Sequence, residues 1–304
     1  MERRRPYILH MLTTAANLSP FDVNMAMDAG WGSAVPYINV KPEDVQSLVQ
    51  DSIFSRSKKN LQRTAIFIGG RDTKLAMDML KLAKQAMVPP YEISVFADPS
   101  GAFTTAAGMI AAIERELRTK FNTTLAGKNM LALGGTGPVG QVAAVIAAKA
   151  GANVRIVGRQ LEKAQNIAKL CNDEFGEGQI NITAGADADK SEFIKTADIV
   201  VATGAAGIEL LSAELVASAP QLKVAADVNA VPPAGIAGVD VFQNGAPIVG
   251  SNSGAVGIGA LAIGDIKYQA QNRLLKQMID TDIPVYLHFE HAFDIARERL
   301  KSAN

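Results

Sequence analysis

Apolar residues in this chain gather into short continuous runs, and amphipathic stretches separate them. Runs of about four to eight residues with β-branched members, bounded by Gly, Asp or Pro, are the pattern of strands covered on both faces. Such runs lie at Tyr7–Leu12, Thr64–Gly69 and Ile93–Ala97. Between them, Ser19 is a good N-cap and Pro20 a good first helical residue, which predicts a helix to Met27 or Asp28 that stops at Gly30. Lys41-Pro42-Glu43-Asp44 opens another helix. Asp72–Ala86 is amphipathic and ends before Pro89-Pro90, and Thr104–Phe121 follows the turn Asp98–Gly101. Strand alternating with helix predicts a small parallel α/β domain.

The alternation resumes after Thr123–Lys128. The apolar run from Asn129 meets a glycine turn, then a helix over Val139–Ala150, a strand over Val154–Val157 and a helix over Gln160–Phe175. A short strand around Ile180–Thr183, a helix around Lys190–Lys195, and strands Ile199–Thr203 and Val224–Asp227 follow. Val231–Gly238 is a Pro/Gly-rich loop and Gly250–Gly259 is glycine-rich again. Leu261–Ile279 and His288–Lys301 read as helices that return to the first domain. The fold class is therefore α/β with two domains, 1–124 plus 270–304 and 125–269. No internal repeat is present.

The glycine turn NMLALGGTGPVG, Asn129–Gly140, changes this picture from fold to chemistry. Gly135, Gly137 and Gly140 have the G-x-G-x-x-G spacing of a Rossmann-type dinucleotide-binding turn. In such a turn Gly135 permits the tight bend, Gly137 lets backbone approach a pyrophosphate, and Gly140 lets helix and strand pack closely. Thr136, Pro138 and Val139 complete the loop, and the helix start offers N–H groups to phosphate. A glycine turn that serves only packing is the alternative. Selectivity for NAD needs an acid roughly twenty residues past the first glycine. Here the second strand ends in Val157-Gly158-Arg159 instead, and Arg159, with Lys163 four residues on, suits the 2′-phosphate of NADP. NAD remains possible, since no acid is lost by its binding. Gly204, Ala205 and Asn229 follow later strand ends, where a nicotinamide rests.

Composition narrows the setting. A chain of 304 residues can form one large or two ordinary domains, and 30 basic against 30 acidic residues leave no net field for nucleic acid or an anionic membrane. The one cysteine, Cys171, cannot pair within the chain, which fits a reducing cytoplasm and a small core residue. Arg3-Arg4-Arg5 precedes an apolar run that is short and broken by His10, unlike a secretory signal. No apolar run approaches the roughly eighteen residues of a membrane span. His288 and His291 are three apart on a helix with Glu290 between them, but no third ligand stands out, so a solvated helix face is the reading and no metal is expected.

Further stretches resemble one family. Phe21–Gly30 (FDVNMAMDAG), Asp51–Arg56 (DSIFSR), Thr64–Asp72 (TAIFIGGRD) and Asp98–Gly108 (DPSGAFTTAAG) are similar to the amino-terminal domain of bacterial NAD(P)-dependent methylene-tetrahydromethanopterin dehydrogenases. Gly134–Gly140, Ala202–Leu211 (ATGAAGIELL), Asp227–Asp240 (DVNAVPPAGIAGVD) and Gly254–Leu261 (GAVGIGAL) resemble their cofactor domain. The resemblance implies hydride transfer from the methylene bridge of a reduced pterin to NADP or NAD, with an active site in an interdomain cleft. It gives a methenyl cation and needs no acid–base pair. It also implies a cytoplasmic homotrimer of one-carbon metabolism, a catalytic Lys267, and Gly257 on the cofactor side. Phe21, Asp22, Gly101, Thr104 and Thr105 become pterin-side candidates. Their ordinary roles stay open: a core ring for Phe21, helix-start charge for Asp22, capping for the threonines. Methylene-tetrahydrofolate is an alternative substrate, a non-catalytic NADP-binding redox sensor is a second, and a shikimate-dehydrogenase-like oxidoreductase is a third.

Overall fold

The structure, a computed structural model, describes residues 5–302; Arg3 and Arg4 of the basic run lie outside the described residues. In chain order come β1 (Ile8–Leu12), α1 (Pro20–Asp28), β2 (Ser33–Tyr37), α2 (Val45–Phe54), β3 (Thr64–Ile68), α3 (Thr73–Gln85), β4 (Ser94–Ala97) and α4 (Ala102–Phe121). Next are β5 (Asn129–Leu133), α5 (Pro138–Lys149), β6 (Asn153–Gly158), α6 (Leu161–Leu170), β7 (Thr183–Ala186), α7 (Lys190–Phe193), β8 (Ile199–Ala202) and α8 (Ala213–Ala217). The chain closes with β9 (Val224–Asp227), β10 (Asn244–Pro247), β11 (Val256–Ile258), α9 (Ala260–Asp280), β12 (Tyr286–Leu287) and α10 (Phe289–Ser302). No helix of the described residues is long and apolar enough to cross a membrane.

The chain forms two compact units. The first runs through Thr104 and adds Tyr268–Ile295; the second holds Thr105–Lys267 and the chain from Ala296. In the first, five parallel strands lie in the order β12-β4-β3-β1-β2. Every residue of β3 and β4 is buried, as their unbroken apolar runs require. Ser19 caps α1 by accepting from the Phe21 N–H, and Asp72 caps α3 by accepting from the Leu75 N–H at 2.9 Å. β2 has no counterpart in the apolar pattern because Pro36 interrupts it. It forms an edge strand, where a missing N–H costs no ladder bond.

In the second unit the order is β10-β11-β9-β8-β5-β6-β7, and every pair except β10–β11 is parallel. The chain thus starts at β5, winds outward through β6 and β7, then returns to β8 and proceeds the other way. The reversal between β5 and β8 is a topological switch point, where open α/β sheets leave a crevice at the strand ends. Three strands differ from the sequence pattern, among them β10, which it did not predict. β7 begins at Thr183 rather than near Ile180, because the Asn172 side chain captures both the N–H and the C=O of Ile182 and the ladder starts only beyond it. β11 forms inside the glycine-rich stretch, held between β9 and β10.

Candidate functional site

At the switch point the glycines are set by contact. Gly134 has φ +67°, and a Cβ there would lie 2.5 Å from the Gly204 Cα, so the loops after β5 and β8 touch backbone to backbone. A Cβ on Gly135 would lie 2.7 Å from the Ala132 carbonyl; one on Gly140 would lie 2.5 Å from the Gly135 Cα and 2.6 Å from the Thr203 hydroxyl. The left-handed bend lies at Gly134, and Gly135, whose N–H bonds to that same Ala132 carbonyl at 3.1 Å, leaves the tight turn no room for a side chain. Gly140 packs helix on strand as its position in the motif requires. Gly137 is different: nothing comes within 3.7 Å of its Cβ position. It caps α5 without a side-chain partner, with Pro138 following. The first turn of α5 thus faces space, with Thr136, Pro138 and Val139 partly exposed. A Gly137 side-chain position with no contact closer than 3.7 Å and a helix start without a side-chain cap fit a pyrophosphate.

β6 ends against this turn, since a Cβ on Gly158 would lie 3.0 Å from the Thr136 methyl. Arg159 and Lys163 are exposed, and neither has a hydrogen-bond or ion-pair partner among the described residues. On the other side of β5, Asp227 ends β9, 2% exposed. Its carboxylate accepts from the backbone N–H groups of Asn229 (2.9 Å), Gly235 (2.6 Å) and Ile236 (3.1 Å). Burial pushes this carboxyl up, and the three backbone bonds oppose that. Asn229 in turn accepts from the N–H groups of Gly207 (3.2 Å) and Val231 (2.9 Å) and donates to the Pro233 carbonyl (2.8 Å). Its amide is thus engaged within the chain, holding the loop that carries Gly204 and exposed Ala205. Gly257 lies inside β11, and the Gln243 amide fills its side-chain position at 2.5 Å. Gly134 and Asp227 were not singled out from the sequence, although a doubled glycine and an acid closing an apolar run were there to see.

In the first unit the loops after β1, β3 and β4 meet. Ser100 donates to the Gly70 carbonyl at 2.7 Å, and the side-chain position of Gly70 is filled by the Thr14 hydroxyl at 3.0 Å. Ser100 and Gly101 are both left-handed, φ 53° and 64°. Such a serine costs roughly 1–2 kcal/mol, a strain that this loop geometry sustains. Asp98, fully buried, closes the turn: it accepts from the N–H of Phe103 (2.9 Å) and from the Thr104 hydroxyl (2.6 Å). Asp98 takes the capping role, accepting the N–H groups of Phe103 and Thr104; Thr104 is fully buried and its hydroxyl donates to that carboxylate, whereas Thr105 is half-buried. Phe21 is 43% exposed and so is no core ring; Asp22 is buried and accepts from the Gln271 amide at 3.0 Å. The Oε1 of Gln271 has no partner despite full burial.

Lys267, half-buried in α9, belongs to the second unit, where its backbone N lies 3.2 Å from the Cβ position of Gly108 on α4. His288 and His291 pack edge to face, 4.6 Å between centroids. Burial holds His291 below the ordinary imidazole value, against the raising effect of Glu290 and Asp294. Among the described residues no group of three or more His, Cys, Asp or Glu is arranged to hold a metal ion.

A switch-point crevice with a glycine-lined helix start and free cations at the adjacent strand end defines a dinucleotide-binding α/β protein of the dehydrogenase kind. Solved structures of similar fold include quinate dehydrogenase from Corynebacterium glutamicum in complex with NAD (TM-score 0.55, 12% identity, 95% of this chain and 98% of that one). Another is the ligand-free 5-ketofructose reductase of Gluconobacter sp. strain CHM43 (TM-score 0.51, 16% identity, 97% and 99%). At such identities the likeness shows the fold alone. Residues 20–100 match the family described as methylene-tetrahydromethanopterin dehydrogenase, N-terminal. The chain is 47% identical to the NAD(P)-dependent methylenetetrahydromethanopterin dehydrogenase of Methylorubrum extorquens, across 96% of this chain and 98% of that protein. It is 33% identical to the bifunctional protein MdtA of the same organism, again across 96% and 98%. The chain belongs to the methylenetetrahydromethanopterin dehydrogenase family.

Proposed function

We propose that this protein oxidises the methylene bridge of methylene-tetrahydromethanopterin to the methenyl cation, with NADP as the preferred hydride acceptor and NAD as a poorer one. The observation that carries the reading is the 47% identity across nearly the whole of both chains to a dehydrogenase of that substrate. The start of α5, with no side-chain cap and no contact closer than 3.7 Å at the Gly137 side-chain position, supports the cofactor half of it. A bound nicotinamide supplies the hydride acceptor. No substrate proton moves, so the chain's task is to hold two rings in line and to exclude water.

Backbone N–H groups at the start of α5 take the pyrophosphate, and Arg159 with Lys163 takes the 2′-phosphate. The loops carrying Gly204, Ala205 and Asn229 flank the nicotinamide. We assign Phe21, Asp22, Gly101, Thr104 and Thr105 to the pterin side and Lys267 to the reacting centre. Thr104 acts there through the turn that Asp98 caps, since its hydroxyl donates to that carboxylate. The protein is further proposed to be a cytoplasmic homotrimer.

Initial rates on methylene-tetrahydromethanopterin and methylene-tetrahydrofolate, each with NADP and NAD, test the reading. The highest kcat/KM is expected for the first pterin with NADP. Faster turnover of the folate would assign the alternative substrate. NADP binding without turnover of either pterin would leave a redox sensor.

A further inference from the structure

The buried carboxylate of Asp227 accepts three hydrogen bonds at the carboxyl end of the second sheet. Its partners among the described residues are backbone N–H groups, with no cation among them. Two of them, from Gly235 and Ile236, lie eight and nine residues further along the chain. The chain also passes flat across the carboxylate, because a Cβ on Gly235 would lie 2.8 Å from Oδ1. The third bond fixes the Asn229 backbone, and the Asn229 amide then bonds Gly207 after β8 and Val231 and Pro233 after β9. One carboxylate and one amide thus tie both loops beyond the Leu211–Ile236 bridge.

Buried Leu211 and Ile236 bridge the two loops at their bases, but the tips have little packing to hold them. Ile208 and Val231 are each 52% exposed, and Ala205, Pro232 and Pro233 are exposed as well. A surface segment with few buried apolar contacts opens easily unless polar bonds tie it down. A charge buried beneath exposed loops is costly unless those bonds are made. The arrangement therefore serves the shape of the loops. They stand on the β8–β9 side of the switch point, and Arg159 stands on the β6 side. A dinucleotide with its 2′-phosphate at Arg159 and its pyrophosphate at α5 carries its nicotinamide onto the β8–β9 side.

We propose that Asp227, acting through Asn229, is the positioning residue for the nicotinamide end of the cofactor, setting the loops after β8 and β9 without touching the cofactor itself. This rests on the reading of the switch point as the NADP site. The test compares wild type, Asp227→Asn and Asn229→Ala in three measurements: affinity for adenosine 2′,5′-bisphosphate, nicotinamide fluorescence of bound NADPH, and kcat with KM for NADP. In Asp227→Asn a carboxylate oxygen becomes an NH2 that faces backbone N–H groups, so the staple opens. The adenosine bisphosphate, which reaches only the β6 side, should bind within about twofold of wild type. Bound NADPH should lose its shifted nicotinamide emission, and kcat should fall by about tenfold or more while KM moves less. Asn229→Ala should show the same split, and the double variant should be no worse than the worse single one.

Equal loss of both ligands would make Asp227 a folding residue and overturn the proposal. Wild-type emission and kcat in Asp227→Asn would overturn it as well. If that variant does not fold, Asn229→Ala decides on the same measurements, and wild-type behaviour there contradicts the relay. Wild-type protein that binds neither ligand contradicts the cofactor site, and the proposal falls with it.

Discussion

Arg159 stands at the end of β6 with no partner among the described residues. An unpaired guanidinium beside a helix start without a side-chain cap favours an anion from outside. A charge-assisted hydrogen bond contributes about 1.5–3 kcal/mol, so Arg159→Ala should lower the NADP/NAD ratio of kcat/KM by roughly ten- to a hundredfold. Lys163→Ala should do so more mildly, since an ammonium makes a point contact. Steady-state kinetics with both cofactors checks this, and an unchanged ratio removes Arg159 from the phosphate. Lys267→Ala should fold and bind NADP yet lose most turnover; wild-type kcat/KM would exclude Lys267 from the site. Cys171 is pushed up to about 12 by burial. At about pH 8 its thiolate fraction is then on the order of one in ten thousand. A thiol reagent should leave the folded protein unlabelled and react only on unfolding. Rapid labelling of native protein would contradict the buried position. At this scale the motif glycines were legible because their spacing is the signal. The bend at Gly134 was not, since two adjacent glycines look alike and only the backbone angle separates them. Asp227 was hidden because its partners are backbone groups, which leave no mark in the residue pattern.

Elements with a single dominant signal were read well: β3, β4 and β5 as unbroken apolar runs, α1 and α3 by their caps. β2 was lost to Pro36, and β7 was displaced because a side-chain amide took the backbone groups of Ile182 that a ladder would otherwise use. The turn between β5 and α5 offers an element-scale test, because its glycines differ in what surrounds them. Gly140→Ala drives a methyl into the Gly135 Cα and the Thr203 hydroxyl, and overpacking of this kind costs about 1–3 kcal/mol. Its urea midpoint should fall. Gly137→Ala meets nothing within 3.7 Å, so stability should hold. Its NADP affinity should nevertheless drop about tenfold, because the methyl occupies space meant for phosphate. Equal stability loss in both variants, or full NADP affinity in Gly137→Ala, would contradict the division of roles.

For the whole molecule, alternating strand and helix announced two α/β units, whereas the strand order in each was beyond the pattern. Order depends on which strands pair, and the winding from β7 through β5 to β11 appears only in the folded sheet. The substrate was legible only through resemblance, since hydride transfer from a methylene bridge needs no nucleophile, metal or proton relay that would stand out. The proposed homotrimer is checked by light scattering, where a mass near that of three chains is expected and that of one chain would contradict it. The central claim is direct hydride transfer from pterin to nicotinamide. It is tested most directly by supplying methylene-tetrahydromethanopterin with deuterium at the bridge carbon and following the label into the cofactor. Deuterium at the nicotinamide C4, in step with formation of the methenyl product, is the predicted result. Reduced cofactor without the label, or no reduction at all, would contradict it.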